Sequence, residues 1–328
     1  LQIIDGKNLQ IKAAEEWLRD LPLASKRGEV LDSSGVSLAS TITTYDVYVR
    51  ARNVTEPAKL ASAISEILQV DYQQAYAKVT NKSLSEILIK MQVEEEKAHE
   101  LTKYSGVYLS QNVARVYPYS YLFTQVIGYC TIDNIGQAGL ELYYDKYLKG
   151  VDGKSLTQTN AQGKEIENSL NYYIPSVPGA NLHTTLDVQM QAILERELMN
   201  AYTEHDALNV SGILLDAQTG GILAMSCLPS FNLNNVPRDD LVKLQEMTKN
   251  STVVDVYEPG STFKLITLAA ALNEGLTNED EQFYCTGRCT VDGETIKCWK
   301  TVGHGSLTLV DAFKNSCNCV FVQLALRL

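Results

Sequence analysis

The segment Tyr257-Glu258-Pro259-Gly260-Ser261-Thr262-Phe263-Lys264, with the apolar run behind it, constrains this chain more than any other feature. Pro259-Gly260 breaks whatever precedes it, and Asn273-Glu274-Gly275 closes the run with a glycine suited to a helix C′ position. Between them lie Phe263, Leu265, Ile266, Leu268, Ala269, Ala270, Ala271 and Leu272. The expected element is a helix apolar on nearly all sides, hence buried at a domain centre. Ser261 and Lys264, three residues apart, project from one face a turn apart. A lysine held at a desolvated surface has its charged form disfavoured, so its pKa falls. The neutral amine can then take the serine proton, which an exposed ammonium cannot. Ser261 also sits at the helix start, where free backbone N–H groups and the dipole stabilise a developing oxyanion. A bare S-x-x-K arises roughly once by chance in a chain this long, usually as a capping serine and a surface lysine, so the pattern needs companions.

One companion lies downstream. Leu309 to Lys314 reads as a helix leading into Asn315-Ser316-Cys317-Asn318 and then the apolar stretch Val320 to Leu326. Ser316 and Asn318, two apart on a turn between buried helices, place a hydroxyl and an amide toward one cleft. A plain helix-to-helix turn uses the same residue types.

The rest of the chain reads as scaffold. Helical spacing is expected at Leu9 to Leu21, Pro57 to Leu68 and Ser83 to Lys103, the last with a solvated acidic face at Glu94, Glu95 and Glu96. Lys26 to Ala39 reads as two short strands turning at Asp32 to Gly35. Ile135 to Lys154 reads as a helix bracketed by glycines, followed by a polar stretch from Ser155 to Ser169. The texture changes around Pro175 and Pro178, which sets the expected domains at 1–175 and 176–328. Beyond that point Asp187 caps a helix running to about His205, and Ser211 to Asp216 and Gly221 to Cys227 form a hairpin. The order helix, hairpin, polar loop, buried helix indicates an α+β domain. The 28 basic and 39 acidic residues leave a net charge of −11, which repels phosphate backbones and argues against nucleic acid and anionic membrane surfaces as partners. No apolar run approaches the roughly 18 residues that span a bilayer.

Together these residues resemble the penicillin-binding proteins and serine β-lactamases, whose pattern is S-x-x-K, then S-x-N or S-D-N, then K-T-G. Ser261-Thr262-Phe263-Lys264 matches the first motif and Ser316-Cys317-Asn318 the second. Arg27-Gly28 with Asp32, Gly35 and Leu38-Ala39 is similar to a segment of the class B penicillin-binding proteins, as is Gly136-Gln137-Ala138-Gly139-Leu140-Glu141 with Leu148 and Gly150. Thr185-Leu186-Asp187 and Thr219 to Met225 add to the likeness. Ser33-Ser34 departs from the usual arginine beside the aspartate, and no K-T-G follows Ser316. Lys300-Thr301-Val302-Gly303 is no substitute, since it precedes the second motif and carries an extra residue.

The resemblance implies an extended N-terminal pedestal followed by part of a transpeptidase domain, a sheet with helices on both sides, with the chain stopping before the third motif. It implies that Ser261 attacks the D-Ala-D-Ala bond of a peptidoglycan stem peptide, that Lys264 is the general base, that Ser316 relays a proton to the leaving amine, and that Asn318 positions Lys264 and substrate. An acceptor amine then resolves the acyl-enzyme, and β-lactam antibiotics acylate the same serine. No cofactor is implied for this chemistry. The implied setting is the outer face of the cell membrane, through an N-terminal anchor ending about where this chain starts. Cell-wall glycosyltransferases and the division or elongation machinery are the implied partners. A serine β-lactamase is the alternative enzyme, against which the long N-terminal region argues. A β-lactam sensor or cell-wall scaffold is the non-enzymatic alternative.

Seven cysteines are present, an odd number that argues against a complete disulfide framework, and five fall between 285 and 319. Cys285, Cys289, Cys298 and His304 form C-x3-C-x8-C-x5-H, a donor set suited to a tetrahedral structural Zn²⁺. A Cys285–Cys298 disulfide, or a set of free thiols, accounts for the same residues. Gly303-His304-Gly305 is also similar to a segment before the second motif in related enzymes, which gives His304 a structural reading without metal.

Overall fold

The computed structural model describes residues 18–158 and 172–328, in two compact units that divide between Asp255 and Val256. The helix expected before residue 18 and most of the polar stretch expected from Ser155 lie outside the described residues.

In the first unit the chain turns at Asp32, whose carboxylate accepts from the Ser34 N–H, the Ser34 hydroxyl and the Val36 N–H, each at 2.8 Å. This is the side-chain turn chemistry that the sequence announced. It joins the strands Val30–Leu31 and Ser37–Val49. The latter is the spine of a five-stranded sheet, pairing antiparallel with Ile87–Val93 and Val107–Val116, while Val30–Leu31 pairs parallel with Leu182–His183. The helix Pro57–Leu68 seals one core with Leu60, Ile64 and Leu68 against Val47, Val49 and Leu101. A second core gathers Val30, Leu38, Phe123, Leu148, Leu186 and Phe231. The helix Val188–Glu204 starts where expected, its cap Asp187 accepting from the Gln189 and Met190 N–H groups at 2.8 and 2.9 Å. The expected hairpin is the antiparallel pair Val210–Leu215 and Ile222–Leu228.

Three expectations fail here. Leu18–Leu23 is a strand paired with Gly153–Gln158, not the end of a helix, because its partner lies far along the chain and overrides local periodicity. Ser83 to Lys103 is a strand, Ile87–Val93, followed by a short helix, Glu95–Leu101, whose Glu95 and Glu96 face the positive end of the helix dipole. Ile135 to Lys154 holds two short helices, Gly139–Tyr143 and Asp145–Leu148, instead of one.

An ion network explains that break. Arg27 donates from Nε to Glu141 Oε2 at 2.6 Å, from Nη1 to Asp145 Oδ1 at 2.7 Å, and from Nη2 to the Glu141 carbonyl at 2.6 Å. Arg115 reaches the other Glu141 oxygen at 2.7 Å. The Glu141 carbonyl, which a continuous helix would offer to the N–H of residue 145, is taken by Arg27 instead. Gly28 sits in the same knot: its N–H donates to the Leu148 carbonyl at 2.8 Å, and a Cβ there would lie 1.9 Å from the Ala180 carbonyl oxygen. The Arg27-Gly28 and Gly136-to-Glu141 segments singled out in the sequence are thus two sides of one buried contact.

In the second unit a 3₁₀ turn, Gly260–Phe263, runs directly into the helix Lys264–Asn273. Strand Gln282–Cys285 pairs with Gly305–Thr308, and Arg288–Val291 with Glu294–Lys297. The helices Leu309–Lys314 and Asn318–Ala325 follow. Phe283, Leu309, Cys317, Val320, Phe321 and Leu324 form the core. The helix carrying Lys264 is not buried all round: Ala271 is its buried residue, and Leu265 and Ile266 are exposed. So small a unit covers one side of that helix and leaves the others open. No helix among the described residues is long and apolar enough to cross a membrane.

Candidate active site

Helical spacing brings Ser261 and Lys264 together, and the tertiary fold brings the second motif to them. Lys264 Nζ lies 3.1 Å from Ser261 Oγ, 3.0 Å from Ser316 Oγ, 3.1 Å from the Ser316 carbonyl oxygen and 2.6 Å from Asn318 Oδ1. The four residues nominated from the sequence as a proton-transfer group therefore meet at one nitrogen, across about fifty residues of chain.

The chemistry of these four oxygens differs. The Ser316 carbonyl and Asn318 Oδ1 can only accept, whereas the two hydroxyls can donate or accept. The orientation of the Asn318 amide is set, because its Nδ2 donates to the Lys297 carbonyl at 2.9 Å. A neutral amine has two N–H groups and one lone pair. Its N–H groups satisfy the two obligate acceptors, and its lone pair is left facing the hydroxyls. The geometry can take a proton from Ser261. An ammonium can also be held, donating to three of the four. Burial lowers the Lys264 pKa below the ordinary lysine value, with the thiols of Cys298 and Cys317 acting in the opposite direction. Ser261 itself is exposed, as an attacking nucleophile must be.

Ser316 takes a left-handed backbone, φ +48°, that a residue with a Cβ rarely adopts. Its N–H donates to the Phe313 carbonyl at 2.9 Å, and the next N–H, of Cys317, to the Ala312 carbonyl at 2.9 Å. This turn ends one helix and points the Ser316 hydroxyl and the Asn318 amide at the same lysine.

Behind the second motif lies a cluster of soft donors. Ligand atoms of Cys285, Cys298, His304 and Cys317 all fall within 4.8 Å of one another. The spacing had nominated Cys289 as the fourth member. It is corrected to Cys317, since the Cys289 sulfur turns toward the Ile296 carbonyl across its own hairpin, at 3.8 Å. Cys317 was hidden by its place between two motif residues, although the crowding of five cysteines into 285–319 was the signal that a further one belonged. The sulfurs are free thiols in this structure. Gly287 and Gly303 allow the strands to close around the cluster. A Cβ on Gly287 would lie 2.1 Å from the Thr301 carbonyl oxygen, and one on Gly303 2.2 Å from that of Cys285. Burial opposes the Cys285 thiolate, but hydrogen bonds from His304, Gly287 and Cys317 together outweigh it and bring that thiol below the usual range. Burial pushes the Cys317 thiol up.

Comparison with known proteins is consistent along the chain. Residues 22–184 match the family described as "Penicillin-binding Protein dimerisation domain", and residues 210–328 match "Penicillin binding protein transpeptidase domain". Stage V sporulation protein D of Bacillus subtilis is 37% identical over 334 residues, covering 100% of this chain and 51% of that protein. Peptidoglycan D,D-transpeptidase FtsI of Escherichia coli K12 is 28% identical over 336 residues, covering 100% of this chain and 56% of that protein. Penicillin Binding Protein 2X from Streptococcus thermophilus superposes with a TM-score of 0.68 at 22% identity, over 93% of this chain and 50% of that one. A structure of PBP2 in complex with MreC from Helicobacter pylori gives 0.67 at 20% identity, over 95% and 63%. The chain spans about half the length of the curated relatives it matches.

Proposed function

Because the chain belongs to the class B penicillin-binding proteins, we propose that it is the pedestal and the serine-bearing part of a peptidoglycan D,D-transpeptidase. We assign 1–175 to the pedestal and 176–328 to the catalytic domain. The observation that carries the reading is the Lys264 nitrogen, set among Ser261 Oγ, Ser316 Oγ, the Ser316 carbonyl and Asn318 Oδ1 at 2.6–3.1 Å.

In this reading Lys264 accepts the Ser261 proton as Oγ attacks the carbonyl of the terminal D-Ala-D-Ala bond. The C–N bond breaks, the departing D-alanine amine takes a proton relayed through Ser316, and the donor peptide is left as an ester on Ser261. An amine from a neighbouring stem attacks that ester, returns the hydroxyl and completes the cross-link. Asn318 holds the lysine through Oδ1. A β-lactam acylates the same oxygen by ring opening, with no leaving group to depart. We assign the protein to the outer face of the cell membrane with glycosyltransferase and morphogenesis partners; a relative named as a peptidoglycan D,D-transpeptidase and a neighbour solved in complex with MreC support a cell-wall setting.

Intact-mass spectrometry of the full-length protein with benzylpenicillin tests the reading. A persistent adduct mapped to Ser261 is expected. Rapid hydrolytic release would make the protein a β-lactamase instead, and no adduct would leave it a scaffold.

We further propose that Cys285, Cys298, His304 and Cys317 hold a structural zinc. Zn–S near 2.3 Å and Zn–N near 2.1 Å imply tetrahedral edges of about 3.8 and 3.6 Å. Cys298 Sγ lies 4.0 Å from Cys317 Sγ and 3.6 Å from His304 Nδ1, which fits. Elemental analysis is expected to find about one equivalent of zinc, retained in Cys289→Ala and lost in Cys317→Ala. Under about a tenth of an equivalent, with Cys285 and Cys298 oxidised, rejects the assignment.

A further inference from the structure

Ser316 is the one proposed active-site residue with a strained backbone, and its conformation is decided by the two peptide planes on either side of it. The carbonyl after it, its own, is held by Lys264 Nζ at 3.1 Å. The carbonyl before it, that of Asn315, is held by the Trp299 indole, Nε1 to O at 2.7 Å. The geometry points to Trp299 as a positioning residue for the second motif: its indole N–H fixes the Asn315–Ser316 peptide plane and so aims the Ser316 hydroxyl at Lys264. This inference rests on the acyl-transfer reading of that site.

The bond does not stand alone. Lys297, Cys298 and Trp299 meet the second motif in succession. The Lys297 carbonyl accepts from Asn318 Nδ2 at 2.9 Å, Cys298 Sγ faces Cys317 Sγ at 4.0 Å, and Trp299 Nε1 donates to Asn315. Three consecutive residues thus grip the turn from its far end to its near end. The middle contact is the buried one. The outer two are exposed hydrogen bonds that set orientation.

Trp299 is 65% exposed, and an indole in water has no need of a protein partner. An N–H bond of 2.7 Å from such a ring to a carbonyl beside a left-handed serine is therefore specific to its surroundings. The plain alternative is that the ring serves only to shield His304, which it meets edge-on with centroids 5.4 Å apart. The two roles separate chemically. The ring contact survives loss of the N–H, and the hydrogen bond does not.

The test uses full-length protein and benzylpenicillin, with the acylation rate constant and the pre-acylation dissociation constant resolved by stopped flow. Trp299→Phe keeps an aromatic ring, and replacement by benzothienylalanine keeps the ring's size while exchanging N–H for sulfur. Both are expected to acylate about five- to tenfold more slowly with the dissociation constant unchanged, the loss of one hydrogen bond felt in the transition state. Replacement by 7-azatryptophan, which retains the N–H, is expected to restore the wild-type rate. Wild-type rates in the benzothienylalanine variant overturn the inference, as does an equal loss in the azatryptophan variant. A wild-type protein that forms no adduct removes the acyl-transfer reading and this inference together. A reactive wild type with an equally reactive benzothienylalanine variant removes only this inference.

Discussion

Lys264→Arg is expected to abolish acylation by benzylpenicillin, with a loss of at least about a thousandfold, while the protein keeps its fold. Arginine retains the positive charge and can still donate to Asn318 Oδ1 and the Ser316 carbonyl, so the contacts that hold the turn survive. What it cannot do near neutrality is give up a proton, and without a lone pair at this position nothing beside Ser261 Oγ accepts its hydrogen. Ser261→Ala is expected to form no adduct at all. Adduct formation by mass spectrometry and a thermal melt of the same samples separate loss of chemistry from loss of fold. An arginine variant acylated within tenfold of wild type would take Lys264 out of the proton-transfer role. The sign of the pH effect follows from the same argument. Burial lowers the Lys264 pKa from the ordinary lysine value. Below its own pKa the amine is protonated and cannot accept, so the acylation rate rises with pH through that pKa and then levels. The midpoint of the rise lies on the acid side of an ordinary lysine. A rate that falls as pH increases over the same arm contradicts a lysine base.

Glu141→Gln is expected to destabilise the first unit by about 3–5 kcal/mol, the cost of leaving buried charges without their counter-ion. The Glu141 side chain is 0% exposed, and the guanidiniums of Arg27 and Arg115 on its two oxygens are 1% and 3% exposed. Burial disfavours the charged form of Arg27, but the Glu141 charge, the Cys130 sulfur and the hydrogen bonds to Asp145 and Glu141 together outweigh it and hold the group above its ordinary value. Glutamine keeps the shape and removes the charge. It also turns an N–H₂ group toward guanidinium N–H groups, donor against donor. Urea denaturation followed by far-ultraviolet circular dichroism reads the loss. Glu141→Asp keeps the charge on a shorter arm and is expected to fall between the two, which supplies a measurable variant if the glutamine form does not accumulate. A glutamine variant within about 1 kcal/mol of wild type would show that the network is dispensable.

Several elements were legible because the forces that make them are local. Pro57–Leu68 and Leu309–Lys314 fall where periodicity and punctuation placed them, as does the helix capped by Asp187. The segment Ile87–Val93 reads as helix from sequence because a run of mixed apolar residues suits either period. Its pairing with Ser37–Val49, about forty residues earlier, made it a strand. The burial expected for the Lys264 helix depended on what packs around it, which no window of sequence contains.

For the candidate site the division is sharper. Within a single turn of backbone, residue spacing alone decides which groups can touch, and Ser261 with Lys264, or Ser316 with Asn318, is such a case. Bringing the two pairs to one nitrogen is a matter of how strands and helices pack, and so is the choice of Cys317 over Cys289. The Lys297 carbonyl and the Trp299 indole had no signature at all. A backbone carbonyl looks the same in every residue, and a tryptophan's single N–H acquires a role only from the acceptor that folding places before it.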